Sequence, residues 1–389
     1  MRVAILSAVR TPIGKILGSL SKFKAVELGA IVIREAIKRA NIEPEHVELV
    51  IMGQVLQGGN GQNPARQSAI LGSIKSNIPA FTINMVCGSG LKAIMLGAQA
   101  IKSGDADIVV AGGMESMTNT PHAIYLRNGV KYGNVEMIDL MIYDGLSCQF
   151  NNNVHMGHLA EYTAEKANIT REEMDQLAYE SHMKAIRAID NGYFKDEIVP
   201  IEVDGKIIEI DETPRRDTSL EKLLSLKPVF KKDGKVTAGN APPLSDGASA
   251  VVLISERKLK ELNLKPLAWI LDYTEFFTEP KDLFFAPIGA FRKLMNKLNI
   301  KDINEFDLIE LNEAFASQVL ANYKELRWDW NKFNVNGGAI ALGHPIGASG
   351  SRILTTLIYS LRRLNKRLGI AGLCLGGGGS VAMAISTDD

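Results

Sequence analysis

The sequence predicts an α/β protein with two similar halves and a long insertion between them. Short apolar runs that end at glycines alternate with segments whose apolar residues recur every three or four positions, a pattern typical of buried strands and helices. The alternation occurs near the N-terminus and again in the last third of the chain. The chain has 389 residues, of which 46% are hydrophobic, so it is long enough for two or three lobes.

In the first half, the elements follow one another without long gaps. We predict a strand at residues 1–10, a helix at 24–40 and a buried strand at 47–55. A second helix is predicted at 91–101, directly after a glycine-rich turn. The apolar run at 107–113 ends in two glycines and predicts a parallel strand that is covered on both faces.

The last third of the chain repeats this order. Residues 307–311 predict a strand, 312–323 and 349–364 predict helices, and 369–385 predict two strands around the glycines at 376–379. Because both parts contain a βα unit with a glycine-rich turn, the sequence indicates an internal duplication.

Residues 115–240 differ from both halves. They are richer in Asn, Met and charged residues, with one clear helix predicted at 171–191. Insertions of this size on an α/β core commonly cover a site and bind the remote part of a substrate.

Composition argues against several classes of partner. The 44 basic and 44 acidic residues cancel, so nucleic acid and membrane surfaces are not expected partners. Three scattered cysteines predict neither a disulfide framework nor a metal site, and they favour a reducing compartment. We expect neither a signal peptide at the N-terminus nor a membrane-spanning run.

Two of the three cysteines stand in glycine-rich turns, which indicates chemistry. Cys87 lies in Asn84-Met-Val-Cys-Gly-Ser-Gly90, before a predicted helix whose dipole favours a thiolate. Cys374 lies in Leu373-Cys-Leu-Gly-Gly-Gly-Gly-Ser380. The alternative is that both are small buried hydrophobes, as most intracellular cysteines are. Cys148 has no such turn, and we expect it to be structural or an exposed spectator.

Polar residues in the second half are further candidates. His344 lies in the glycine-dense segment 337–350, which we interpret as a loop that positions the histidine. Asn312 and Glu313 lie where a predicted strand passes into a helix, a place where α/β proteins present functional groups. The alternatives are a structural histidine, a helix N-cap at Asn312 and a favourable dipole interaction at Glu313.

Taken together, these motifs resemble the thiolase family. The similarity runs from Arg10-Thr-Pro-Ile-Gly14 through Gly112-Gly-Met-Glu-Ser116, His155-Met-Gly157 and Thr237-Ala-Gly-Asn240 to the Cys374 turn. No single motif is sufficient, but the ordered set is highly specific.

The resemblance implies a fold and a division into domains. The expected fold is a duplicated βαβαβαββ core with five layers, α-β-α-β-α, and an inserted loop domain. Residues 1–116 with 245–265 would form the first core half and 266–389 the second. Residues 117–244 would form the inserted domain, which binds coenzyme A.

The resemblance also implies a reaction, the reversible Claisen condensation of two acyl-CoA molecules through an acyl-cysteine. Cys87 would be the nucleophile, His344 would take its proton, and Cys374 would be the acid and base for the second substrate. The N–H groups of Cys87 and Gly376 would hold the acyl oxygen. The enolate oxygen would face His344 and a water held by Asn312.

Coenzyme A would be a substrate, with no cofactor and no metal. The family positions expected near it are Leu146, His155, Met156, Arg215, Phe230, Ala238, Ala314 and Phe315. Arg215 could equally be a solvated arginine. Pro242 stands where many relatives have a serine, so we leave it outside the expected binding set. Phe284 and Phe285 either fill the acyl pocket or pack in the core.

The expected substrates are acetyl-CoA, acetoacetyl-CoA and free CoA, in a cytoplasmic homodimer or homotetramer. Two alternatives are a thiolase for longer 3-ketoacyl-CoA substrates and, more remotely, a non-catalytic scaffold subunit. A condensing enzyme that acts on acyl-carrier protein would be expected to have a second histidine in place of Asn312-Glu313.

Overall fold

The computed structural model describes residues 1–388, and its elements follow the predicted alternation. The strands are β1 (Val3–Arg10), β2 (Gly14–Lys15), β3 (Leu49–Gly53), β4 (Ala80–Ile83), β5 (Ile108–Ser116), β6 (His122–Ala123), β7 (Ile138–Asp139), β8 (Ser147–Cys148), β9 (Val154–His155), β10 (Ile201–Val203), β11 (Lys206–Ile208), β12 (Ser245–Ser255), β13 (Ala268–Phe277), β14 (Leu308–Leu311), β15 (Leu368–Leu375) and β16 (Gly379–Ser386).

The helices are α1 (Ala25–Arg39), α2 (Pro64–Leu71), α3 (Ser89–Ser103), α4 (Met156–Lys166), α5 (Arg171–Asp190), α6 (Leu220–Leu224), α7 (Glu256–Glu261), α8 (Ala286–Leu298), α9 (Ala316–Leu326), α10 (Ala339–Leu342) and α11 (Ile346–Arg363). Short 3-10 helices lie at Pro44–His46, Gln149–Asn151, Pro280–Phe285 and Ile303–Glu305, and a π-helical turn lies at Met141–Leu146.

The two halves repeat one order of elements, so the predicted duplication is confirmed. The first half runs β1, α1, β3, α2, β4, α3, β5 and β12. The second runs β13, α8, β14, α9, α11, β15 and β16. Where the first half has its third strand, the second has an isolated bridge between Ile309 and Phe333.

A continuous sheet crosses both halves in the order β14, β15, β16, β13, β1, β12, β5, β3 and β4. Parallel pairing occurs between β3 and β4, β3 and β5, and β14 and β15, as predicted for strands covered on both faces. The halves join where β1 and β13 pair over three residues, Val3 to Ile5. Each half therefore has its own curved sheet, and the two meet at one edge.

Helices on both sides of these sheets give the expected five layers. α1 and α2 pack on the outer face of the first sheet, and α8 and α9 pack on the outer face of the second. α3 and α11 lie between the sheets and pack against each other; α3 also contacts β5 and β16, and α11 contacts β5 and β15. The central layer is thus covered by both sheets, and 15 of the 18 residues of α11 are buried, serines and threonines among them.

The starts of α3 and α11 are held together by direct backbone contact. A Cβ added at Gly90 would lie 2.9 Å from the carbonyl oxygen of Gly347, and one at Gly350 would lie 2.5 Å from the backbone nitrogen of Leu91. Any larger residue would push the helices apart. The turn before α3 and the loop before α11 therefore lie close together.

The inserted segment leaves the core after β5 and returns at β12, which pairs with β5. Its predicted helix is confirmed as α5, which begins with a capping box between Thr170 and Glu173. A buried ion pair links the segment to the core, since Arg10 on β1 bonds Asp211 at 2.6 Å. The domain boundaries themselves stay predictions. None of the helices described in residues 1–388 has the length and apolarity needed to cross a membrane.

Candidate active site

The residues predicted to carry the chemistry converge on one cavity. It has a volume of about 450 Å³ and lies between the two core halves and the inserted segment. Every residue predicted to bind coenzyme A lines it, together with four predicted catalytic residues: Cys87, Leu146, His155, Met156, Arg215, Phe230, Ala238, Ala314, Phe315, His344, Cys374 and Gly376. Asn312 lies just behind this wall. Positions far apart in the chain are therefore brought together as expected.

Cys87 lies in a strained turn between β4 and α3. Val86, a β-branched residue, has φ of 48°, in the left-handed region that such residues avoid. Polar contacts hold the turn: the Val86 N–H donates to Asn84 Oδ1 at 2.9 Å, and Ser89 Oγ donates to the Val86 carbonyl at 2.6 Å. As predicted, Cys87 directly precedes the first turn of α3, whose N-cap is Gly88.

The pKa of the Cys87 thiol depends on two opposing influences, its burial and the N–H groups around it. Burial raises the pKa of the Cys87 thiol to about 12, and the nearby Glu115 carboxylate raises it further. The N–H groups of Cys87 and Gly376 both donate toward the sulfur and act in the opposite direction, but they do not outweigh burial. The free protein therefore holds this thiol in its neutral form.

His344 is neutral and fixed in one tautomer. Burial lowers the pKa of His344 to about 3. Its Nδ1 lies 2.6 Å from Ser349 Oγ, whose single proton goes to the carbonyl of Pro345 at 3.0 Å. The hydroxyl must then accept from Nδ1–H, which leaves the lone pair of Nε2 free to act as a base. Sequence reasoning missed Ser349, although its place five residues after His344 was visible.

Asn312 lies in an extended segment and is not the helix N-cap. α9 begins at Ala316, four residues later than predicted, and its N-cap is Phe315. The Asn312 Nδ2 lies 3.5 Å from His344 Nε2. Within residues 1–388, its buried Oδ1 has no hydrogen-bond partner. The delayed helix start leaves the amide directed at the histidine, with an oxygen available to hold a water.

Glu313 has a different role from the expected dipole interaction. Its carboxylate is buried and accepts from Ser181 Oγ at 2.7 Å, Asn334 Nδ2 at 3.0 Å and the Ile340 N–H at 3.1 Å. A Cβ at Gly338 would lie 2.1 Å from Glu313 Cδ. Glu313 therefore holds the glycine-rich segment that leads to His344.

Glu115 is a second carboxylate that sequence reasoning did not single out. At the end of β5 it accepts from the N–H groups of Val55, Leu56 and Gly347, at 3.1, 3.1 and 2.8 Å. Burial raises the pKa of Glu115 to about 7. It ties the loop after β3 to the first turn of α11, behind the Cys87 sulfur.

Cys374 is the other thiol of the cavity and lies near the end of β15. Its side chain is buried, and burial raises the pKa of the Cys374 thiol well above its usual range. The proximity of Cys87 raises it further, so the two sulfurs share one site. Cys148, by contrast, is buried outside this cavity and accepts from Asn151 Nδ2 at 3.1 Å, which fits a structural role.

The outer wall of the cavity is aromatic. The rings of His155 and Phe230 stack with centroids 4.7 Å apart, and burial lowers the pKa of His155. Gly157 makes this possible, because a Cβ there would lie 2.2 Å from the Phe230 ring. Arg215 lies exposed at the rim, where its backbone N–H donates to His182 Nδ1 at 3.2 Å.

Two expectations about the acyl pocket are refined by the structure. Phe284 lines the cavity and also packs edge-on against Phe315 at 5.4 Å, so it both fills the pocket and belongs to the core. Phe285 does not line the cavity. Pro242, which we had left outside the binding set, does line it. Its ring replaces a hydroxyl with apolar surface at that wall.

Comparison with known proteins gives one consistent result. The family models "Thiolase, N-terminal domain" and "Thiolase, C-terminal domain" match residues 3–257 and 264–387. An acetyl-CoA acetyltransferase of Pseudomonas aeruginosa is 48% identical over 99% of both chains, and one of Cupriavidus necator is 49% identical over 98% of both. The crystal structure of the Bacillus anthracis acetyl-CoA acetyltransferase superimposes with a TM-score of 0.96 at 43% identity, covering 99% of this chain and 98% of that chain.

Proposed function

Since the chain belongs to the thiolase family, we propose that it is an acyltransferase that condenses two acetyl-CoA molecules reversibly to acetoacetyl-CoA and free CoA. The observation that carries this proposal is the convergence of Cys87, His344 and Cys374 on one cavity. Two thiols with one base fit a reaction that needs both a nucleophile and a separate proton carrier.

In the first step, Cys87 becomes acetylated. His344 Nε2 takes the Cys87 proton, and the thiolate attacks the thioester carbonyl. The carbon–sulfur bond to CoA breaks, and the proton passes from His344 to the departing CoA sulfur. The N–H groups of Cys87 and Gly376, which already point at the Cys87 sulfur, suit the oxygen that becomes negative.

In the second step, Cys374 acts as the base. Cys374 gives its own proton to His344 Nε2, and the resulting thiolate takes a proton from the methyl group of a second acetyl-CoA, whose electron pair moves to the thioester oxygen as an enolate. The resemblance places this oxygen beside His344 and a water on Asn312, whose unpartnered Oδ1 suits such a water. The enolate carbon attacks acetyl-Cys87 and releases acetoacetyl-CoA. The proton held by His344 then passes to the Cys87 thiolate, which restores both thiols and the neutral histidine.

Coenzyme A lies along the inserted segment in this proposal and is a substrate, not a bound cofactor. Arg215 at the rim suits its phosphates, and His155 and Phe230 form the wall beside the pantetheine. Phe284 lines the same cavity and reduces the room for a longer acyl chain, which favours the acetyl group.

We also propose a cytoplasmic homo-oligomer, a dimer or a tetramer. The three cysteines are free thiols, which suits a reducing compartment. Residues 124–137 expose several large apolar side chains, including Tyr132 at 99% and Tyr125 at 77%, which suit contact with another copy. Light scattering of the purified protein measures the state directly, and a monomer would contradict it.

The central experiment follows the thiolysis of acetoacetyl-CoA by free CoA. We expect Cys87→Ser and Cys374→Ser each to abolish turnover, while Cys148→Ser, a matched change of a thiol outside the cavity, retains it. Full activity in both cavity variants would eliminate this mechanism, and absence of turnover in the wild type would favour a scaffold. A chain-length series that peaks beyond the four-carbon substrate would favour the broader 3-ketoacyl-CoA thiolase.

A further inference from the structure

Ser380 lies directly opposite Cys374 in the antiparallel pair of β15 and β16. Residues in this relation share one face of a sheet. Cys374 and Ala382 face the core under α8, whereas Leu375 and Val381 face the central layer. Ser380, between Gly379 and Val381, is on the Cys374 side.

The hydroxyl of Ser380 has no hydrogen-bond partner. The residue is fully buried, and its Oγ contacts no donor or acceptor within the described residues 1–388. A buried hydroxyl without a partner is costly, and alanine would fill this strand position without that cost. The stability of the fold therefore does not explain why this position carries a hydroxyl.

The Cys374 sulfur is poor in hydrogen-bond donors, and the Ser380 hydroxyl is a donor. As a base it must carry a negative charge, yet its surroundings are apolar and, among the residues that the structure describes, its own backbone N–H is the one donor to its sulfur. Cys87, in comparison, receives N–H groups from two residues. Cys374, which must ionise in the second step, thus has fewer N–H donors to stabilise its thiolate than Cys87 has.

We propose that the Ser380 hydroxyl rotates toward Cys374 and donates a hydrogen bond to its sulfur whenever that sulfur is a thiolate. Directly opposite residues have Cβ atoms about 4.5–5.5 Å apart, so rotation about one side-chain bond is sufficient. Ser380 is then a positioning residue that acts through Cys374. The inference rests on the proposed role of Cys374 as the base.

Few other ionisable groups face the Cys374 sulfur. Cys87 and His344 share its cavity. On the neighbouring strand β14, Ile309 and Leu311 belong to the same core as Cys374, so Glu310 between them faces the other way. α8 contributes the apolar Phe291 and Leu294 to this core. A change in the titration of Cys374 on removal of a neutral hydroxyl can therefore be assigned with little ambiguity.

The test is Ser380→Ala, with Ser386→Ala at the far end of the same strand as the matched control. The pH dependence of Cys374 alkylation by iodoacetamide, measured by peptide mass spectrometry, gives its apparent pKa. We expect Ser380→Ala to raise it by about one to two units and to lower the condensation rate about tenfold to hundredfold. CoA release from the first acetyl-CoA and the KM should be unchanged.

Thermal unfolding separates this role from packing. Because Ser380→Ala removes an unpartnered buried hydroxyl, its unfolding temperature should equal or exceed that of the wild type. An unchanged Cys374 titration, or an equal loss in both half-reactions with a lower unfolding temperature, would overturn the inference. Full turnover in Cys374→Ser would instead contradict the proposed function itself, so the two failures are distinguishable.

Discussion

Each core half presents two segments to the cavity: the segment before its central helix and the segment between its last two strands. The two halves carry different residues in these segments. The segment before the central helix carries Cys87 before α3 in the first half and His344 before α11 in the second. The segment between the last two strands is the long inserted segment after β5 and a three-glycine turn after β15. In the proposed mechanism, one repeated architecture thus supplies the nucleophile, its base, the substrate lobe and the second thiol.

The difference shows which properties the fold provides and which the individual side chains provide. Both central helices direct their N-termini into the cavity, yet the Cys87 thiol keeps a raised pKa because burial outweighs the helix end. The short turn after β15 relies on Gly377 and Gly378, with φ of 85° and 91°, to bring Gly376 close to Cys87. Topology places the groups, and burial sets their protonation.

The largest expected effect concerns the two thiols. If the halves divide the chemistry as proposed, brief incubation with acetyl-CoA adds one acetyl group to Cys87 and none to Cys374, as read by peptide mass spectrometry. Cys374→Ser should still acetylate while losing at least about a thousandfold in turnover. An acetyl group on Cys374 in the wild type would reverse the assignment.

Asn312→Ala tests the contribution of the strand that precedes α9. Removal of one donor to a developing oxyanion costs about 3 kcal/mol, so we expect a roughly hundredfold lower turnover in a folded protein. The loss should appear in condensation and not in acetylation of Cys87. Unchanged turnover would remove Asn312 from the scheme.

Ser349→Ala tests how the second half fixes its base. Without the hydroxyl, Nδ1–H of His344 loses its acceptor and the other tautomer becomes populated, so we expect about a tenfold slower acetylation, equivalent to about 1.4 kcal/mol. Ser351→Ala is the matched control, because its hydroxyl bonds backbone carbonyls of Ala348 and Ser249. Equal effects from both serines would indicate a general loss of helix packing.

The last expected effect is on stability and leaves the mechanism untouched. The folded pKa of His344, about 3, lies below its ordinary value of 6.5, so the unfolded chain binds the proton more readily between these values. Stability should therefore fall as pH drops below 6.5, by about 2 kcal/mol at pH 5. Denaturant unfolding of wild type and His344→Asn at pH 5 and above pH 6.5 measures this loss. An equal fall in the free energy of unfolding of the two proteins would contradict it.

Much of this arrangement could be predicted from the sequence, because the apolar periodicities are strong. The helix at residues 24–40 and the strand at 107–113 lie within a few residues of α1 and β5. The start of α9 was predicted four residues too early because Asn312 and Glu313 are residue types that suit a helix terminus. In the structure, contacts with His344 and with the glycine-rich segment keep both residues out of the helix. Glu115 binds backbone N–H groups of residues that are distant in the sequence, and Ser349 contacts a ring nitrogen of His344; a linear motif reveals neither contact.

The backbone contact between α3 and α11 has a consequence for engineering. The spacing between the Cys87 turn and the His344 loop is set by main-chain atoms at Gly90, Gly347 and Gly350, not by the outer layers. We therefore expect that α1 and α2 can be exchanged with those of a relative while the reactive centre keeps its geometry. These outer helices can therefore be changed to alter solubility or assembly, while the contact between α3 and α11 preserves the spacing of the Cys87 turn and the His344 loop.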